Sequence, residues 1–185
     1  MRTARGGVAL LLIGFSLLLG GCATTITKPA AIPQPSKERF GTFDVVEFEP
    51  VSLAPKFETA EANQKAARKI NEELISSLQN VFPGMKVGDQ AGKTETGKTL
   101  VIRPVIKEIK FIGGAARFWV GAMAGSSAAL MQVSFIDKGS GDVLADPEFY
   151  RSANAMGGGW SMGGTDNMML TMIVQDITNY VVSNR

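Results

Sequence analysis

An apolar run that ends on the chain's only cysteine sets the terms for everything after it. Residues 8–19 are apolar except for Gly14 and Ser16, they follow Arg2 and Arg5, and they close on Leu19-Gly20-Gly21-Cys22. A positive leader, an apolar core and small residues before a cut are the three parts of a secretory signal. The core is about a dozen residues, short of the ~20 that a spanning helix requires. The expected products are a signal peptide over 1–21, cleaved between Gly21 and Cys22, and a mature chain that starts with the cysteine. No second cysteine remains for a disulfide, so the fold must rest on a hydrophobic core. Without its leader the chain is still long enough for one domain with such a core.

Leu19, Gly20, Gly21 and Cys22 each fill a slot of the lipobox, and the segment resembles the export signal of bacterial lipoproteins. The resemblance implies a diacylglyceryl group on the Cys22 sulfur, cleavage before that residue, and acylation of the new amine. Covalent palmitate-type lipid on Cys22 is then the only non-protein group, with no other cofactor. Each buried CH₂ contributes about 0.8 kcal/mol and a single chain holds only marginally, so a multiply acylated cysteine is a lasting membrane anchor. In that family an aspartate after the cysteine favours the inner membrane. Ala23 stands here, which implies the periplasmic face of the outer membrane.

Charge and histidine content remove whole classes of chemistry. Lys and Arg number 19 against 17 Asp and Glu. Arg2 and Arg5 belong to the leader, which leaves the remainder formally neutral, so nucleic acid is not an expected partner. The chain has no histidine, which excludes a Ser-His-Asp triad, a Cys-His pair and any imidazole-based zinc site. No metal site and no catalytic residues are expected.

Residues 22–39 read as the lipidated cysteine and a flexible tether, because Pro29, Pro33 and Pro35 among Thr and Ala favour extended, solvated chain. Fully stretched it would reach ~55 Å, enough to hold a domain clear of the lipid. A single domain over 40–185 follows. Residues 43–48 are rich in strand formers and Pro50 ends them. Residues 59–82 predict a helix: Ala62, Ala66, Ile70, Leu74 and Leu78 recur every four residues, with Glu61, Lys65, Arg68, Lys69, Glu72 and Glu73 on the other side. Thr59 is placed to cap it and Pro83-Gly84 to stop it. A short strand is expected at 85–87.

Leu100-Val101-Ile102 marks a strand covered on both faces. The apolar phase slips between Ile106 and Ile109, which predicts a bulge near Lys107. Pro104 has no amide donor and predicts an edge or distorted position. Met131, Val133 and Phe135 alternate with polar neighbours, and a turn over 137–142 leads back through Val143–Ala145 as a hairpin. Asp146-Pro147 interrupts the returning strand and Glu148–Ala153 resumes it. Thr165-Asp166 is placed to cap a final helix with Leu170, Ile173, Ile177, Tyr180 and Val181 on one face. The expected fold class is α+β: a mostly antiparallel sheet of about five strands packed by two helices, in the order β-α-(β)-β-β-β-α.

Three stretches imitate functional motifs. Residues 92–99 match G-x-x-x-x-G-K-[ST], but that loop cradles phosphate only between a buried strand and a helix N-terminus. A strand signal follows it here, so no nucleotide is expected. The aspartates of the 137–142 turn do not have the D-x-D-x-D-G spacing of a calcium loop, and turn chemistry accounts for them. The Gly-rich stretch 154–164 precedes a helix, but Asp166 places negative charge at an anion's doorway.

Residues 113–129 are the most unusual. Glycines, alanines and serines surround Phe118, Trp119, Val120 and Met123, and Arg117 is the only charge. Gly121 and Gly125 form a small-x-x-x-small pair that permits close backbone approach. Arg117, Phe118, Trp119, Gly121, Met123 and Gly125 are the candidate interaction surface. Three fates stay open: burial against another subunit, a membrane-dipping loop, or packing on the domain's own core.

The run 116–128, with Phe149-Tyr150-Arg151-Ser152-Ala153-Asn154-Ala155 and Trp160-Ser161-Met162-Gly163, resembles an uncharacterised lipoprotein family of Gram-negative bacteria of the domain-of-unknown-function type. More distantly, the element order is similar to the periplasmic part of the curli-secretion channel lipoprotein. The first resemblance implies no catalytic residues and a non-enzymatic lipoprotein that works in an outer-membrane or periplasmic assembly, through a protein partner or self-association. The second implies an alternative, a secretion-channel subunit inserting residues 111–135 into the membrane as a hairpin.

Overall fold

The computed structural model describes residues 26–88, 97–112, 126–153 and 164–185. Its spine is an antiparallel pair, β4 (Thr99–Lys110) and β5 (Ser127–Asp137). Ile102, Pro104 and Ile106 stand opposite Phe135, Val133 and Met131, and these side chains line one face of the sheet. The register shifts between Ile106 and Glu108, which leaves Lys107 as an extra residue. Ile109 thereby returns to the core face opposite Ala129. The bulge sits where the apolar phase slips, as β pairing requires when two residues oppose one.

Pro104 corrects an expectation, since β4 is a central strand with neighbours on both sides. Val133, its partner, donates its N–H away from β4 to the carbonyl of Pro147. Pro104 therefore turns its nitrogen away from β5, toward the other neighbour. On that side β1 (Val45–Phe48) stops opposite Ile102, and β2 (Ser52–Leu53) begins opposite Val105. The missing donor faces the break between two strands, where no ladder bond is lost.

The sheet has seven strands in the order β3-β1-β4-β5-β6, with β2 continuing beside β4 and β7 beside β5. Here β3 is Lys86–Val87, β6 is Val143–Ala145 and β7 is Glu148–Ala153. The α+β class and the two helices match the sequence reading, but the sheet is mixed. The pairings of β1 with β3 and of β1 and β2 with β4 are parallel; those of β5 with β4, β6 and β7 are antiparallel. A helix between strands returns the chain in the direction it left, so the strand–helix–strand start of the domain imposes the parallel half.

Both helices, α1 (Glu61–Val81) and α2 (Gly164–Asn184), pack on the core face. Ala66, Ile70, Leu74 and Leu78 of α1 meet Ile173, Ile177 and Val181 of α2 in one cluster with the sheet. Each such side chain contributes about 1.5–3 kcal/mol when fully buried. The expected cap of α1 is not used. Ala60 is the N-cap of α1, without a side-chain bond, and Ala62 is exposed. Asn63 takes the inward place and donates its Nδ2 to the Phe57 carbonyl at 3.0 Å. The second helix starts at Gly164, so Thr165 and Asp166 lie in its first turn, where Asp166 favours the helix dipole.

Candidate functional site

The expected tether is solvated only in part. From Gln34 onward the chain is a strap bound to the C-terminal end of α2 and to β6. Tyr180 donates its hydroxyl to the Gln34 carbonyl at 2.7 Å, and the Ser36 N–H donates to Asn184 Oδ1 at 2.8 Å. The Lys37 N–H reaches the Leu144 carbonyl at 3.0 Å, and Arg39 Nη1 reaches the carbonyls of Ser183 and Arg185. Behind the strap, Phe40 stacks on Phe135 at 4.6 Å between ring centroids, and Tyr180 packs on both Phe135 and Phe149. Burial pushes the Tyr180 phenol above its ordinary value. A tyrosine and an asparagine four residues apart on an otherwise apolar helix face require polar partners. That was the available signal for the strap, and composition alone conceals it.

Upstream of the strap, residues 28–33 form one wall of a groove of about 900 Å³. Tyr150 and Arg151 of β7 and Asp176, Asn179 and Ser183 of α2 form the other side. Arg151 grips Asp176 through two bonds, Nε to Oδ2 and Nη2 to Oδ1, both 2.5 Å, tying β7 to α2. The carboxylate holds the guanidinium above its usual range. Ile26, at the start of the described chain, is buried.

The sheet face away from the helices is a polar network. Arg103 forks onto Glu49, and Lys138 reaches both oxygens of the buried Glu47 at 2.9 Å. Asp146 accepts from Gln132 and from Ser134 Oγ. At the sheet's end Lys98 bonds Glu38 at 2.5 Å and lies 4.6 Å from the centre of the Phe43 ring. That ammonium, with Thr42 as a second donor, holds the exposed Glu38 carboxyl below the usual range. Glu38, Glu47, Glu49, Glu61, Glu73 and Asp176 thus each face a cation. Such pairs brace a surface; they do not poise an acid beside a base. Among the described residues no group of three or more acidic or cysteine side chains is arranged to hold a metal.

The sequence-derived candidates fall mostly elsewhere. Gly21, Cys22, Arg117, Phe118, Trp119, Gly121, Met123 and Gly125 lie outside the described residues. Just beyond that segment, Ser127 and Ala129 are buried in the domain's own core, and Ser127 Oγ accepts the Ile112 N–H at 3.0 Å. The phosphate-loop look-alike is described only from Gly97, where Thr99 opens a strand and the Lys98 N–H bonds Asp44 Oδ2. That end of the motif has no helix N-terminus. Asp137 serves the turn, its Oδ1 accepting the Gly139 N–H at 2.8 Å.

The sequence pattern of DUF4410, a domain of unknown function, matches residues 24–157. The chain belongs to this family. The match takes in the strap and the entire sheet and stops before α2. No curated protein matches the chain. Among solved structures it is similar to the PelC dodecamer from Paraburkholderia phytofirmans, at 11% identity and a TM-score of 0.45, over 78% of this chain and 91% of that one. It is also similar to hypothetical protein CT253 from Chlamydia trachomatis, at 16% identity and 0.40, over 76% and 100%. A minor lipoprotein from Acinetobacter baumannii aligns at 12% identity and 0.35, over 75% and 94%.

Proposed function

We propose that this DUF4410 protein is a non-enzymatic lipoprotein of the bacterial envelope, anchored through Cys22 on the periplasmic face of the outer membrane. It would serve as a structural or interaction component of an assembly there. The observation that carries the reading is Leu19-Gly20-Gly21-Cys22, a complete lipobox at the end of a charged and apolar leader, holding the chain's only cysteine. The paired carboxylates support the non-enzymatic part: Glu38, Glu47, Glu49, Glu61, Glu73 and Asp176 are each committed to a cation. Residues 117–125 remain the proposed contact surface for a partner or a second copy, on their small, uncharged, Trp-containing character. Intact mass of the protein from its native host tests the anchor: an N-terminal acylated Cys22 is expected, and Cys22→Ser should leave a longer, lipid-free precursor. A bare Cys22 with residues 1–21 still attached would overturn the assignment. In-cell cross-linking from Trp119 tests the surface, with a trapped protein neighbour expected.

The channel alternative loses ground. A hairpin over 111–135 would draw Met131, Val133 and Phe135 out of the core, where they pair with β4 and pack beneath α2. Those side chains are fully buried, and burial of that kind contributes about 1.5–3 kcal/mol each.

A further inference from the structure

The outer surface of α2 is unlike an ordinary solvated helix face. Met168, Met172, Gln175, Asn179 and Val182 follow one another at helical spacing along it, and all five are exposed. None carries a charge, and the whole of α2 holds only Asp166 and Asp176 with no lysine or arginine. Met168 is 63%, Met172 37% and Val182 55% exposed, three of the five large apolar side chains exposed among the described residues. A fourth, Ile32 at 80%, lies on the segment just before the strap, across the groove from Asn179 and Ser183. Four of the five thus lie on α2 or on the segment that leads to the N-terminus, and the fifth is Val143 of β6.

The length of that leading segment supplies the occupant. Ile26 is buried, and Cys22 is four residues upstream. Four extended residues span at most ~14 Å. We propose that the domain lies against the bilayer surface, with the Met168–Met172–Val182 stripe of α2 and Ile32, just before the strap, as its lipid-facing side. This rests on acylation of Cys22 and replaces the picture of a domain held far from the membrane on a loose tether. A leash this short leaves no room for a second folded protein between the N-terminus and the headgroups. Methionine, valine and isoleucine side chains with neutral amide neighbours are the chemistry that enters the headgroup and acyl boundary without desolvating a charge.

The acylated sulfur of Cys22 is a thioether, so an added cysteine is the only free thiol in the mature protein. Met172→Cys and Val182→Cys, and Gln64→Cys on the charged face of α1 as control, are labelled with an environment-sensitive dye. The lipidated proteins are then placed in phosphatidylethanolamine–phosphatidylglycerol vesicles. The α2 labels should shift to the blue and lose emission when nitroxide-bearing lipids are included, while the α1 label does neither. Equal, water-like emission from all three positions on a protein whose mass shows the lipid would overturn the docking and leave the anchor intact. A bare Cys22 in the same mass spectrum would instead overturn the anchor. Blue-shifted α2 labels that nitroxide lipid does not quench, and that revert on dilution in detergent, would mean a second copy covers the stripe, and the proposal would fall. All three positions are exposed, so the substitutions spare the core, and unchanged far-ultraviolet circular dichroism verifies folding.

Discussion

The two helices have the same length, share one face of one sheet and bury comparable inner stripes, yet their outer surfaces differ. That of α1 carries Glu61, Lys65, Arg68 and Glu72, with Lys69 and Glu73 at its flank, and Lys65 bonds Glu61 at the four-residue spacing. That of α2 carries methionine, valine, glutamine and asparagine. The inner stripes answer to the core, which both helices need equally. The outer surfaces are not held to that common requirement, and there one helix is charged where the other is largely neutral. Only α2 also holds the strap, through Tyr180 and Asn184.

The largest effects should show the inner stripes to be equivalent. Leu74→Ala and Ile177→Ala both remove fully buried side chains, and each should destabilise the domain by about 2–5 kcal/mol in urea unfolding. A negligible loss at Leu74 would break the comparison, because α1 would then not be half of the core.

The next effect belongs to α2 alone. Tyr180→Phe removes the bond to the strap and should lower stability by about 1 kcal/mol. It should also change the alkaline limb. Burial raises the Tyr180 phenol above its ordinary value of 10.0 in the folded state, so its contribution is complete below pH 10. The contribution disappears as pH rises through the elevated folded value, because the unfolded chain gives up that proton first. The substituted protein should lack this part of the alkaline loss in pH-dependent denaturation, and an unchanged limb would separate Tyr180 from the strap's stability.

Smaller effects sharpen the contrast further. Asp176→Asn weakens the Arg151 fork that joins α2 to β7; both partners are about a third exposed, so at most ~1 kcal/mol should be lost. On α1, Lys69→Gln removes a pair with Glu73 within one helix and should change stability by about 0.3–0.5 kcal/mol, diminishing with salt. A larger loss at Lys69 than at Asp176 would reverse the ranking.

Much of the architecture was legible because it repeats at the period of the backbone. The four-residue recurrence through Ile70, Leu74 and Leu78, the alternation through Met131, Val133 and Phe135, and the slip at Lys107 all translate directly into which side chains face the core. The direction of pairing was less legible. Nothing in 43–48 or 99–102 says parallel, and only the intervening helix carries that information. Pro104 misleads for a related reason, since a proline excludes a donor but does not say which neighbour would have needed one. The strap was hidden by its composition. Proline, serine and lysine describe a solvated segment as well as a docked one, and the deciding partners, Tyr180 and Asn184, lie at the far end of the chain.

Sequence alone carried the lipobox resemblance at Leu19-Gly20-Gly21-Cys22, the lack of histidine and the periodic stripes that make two helices and a sheet. Each is a local property, set by a residue's identity or by its spacing from near neighbours. Tertiary structure was needed to show that the strap closes on the C-terminal helix, that the sheet is half parallel, and that residues 28–33 face Asn179 and Ser183 across a groove. Those facts join residues far apart in the chain. Their bonds exist only once the core has brought both ends to the same place, so no local rule reads them in advance.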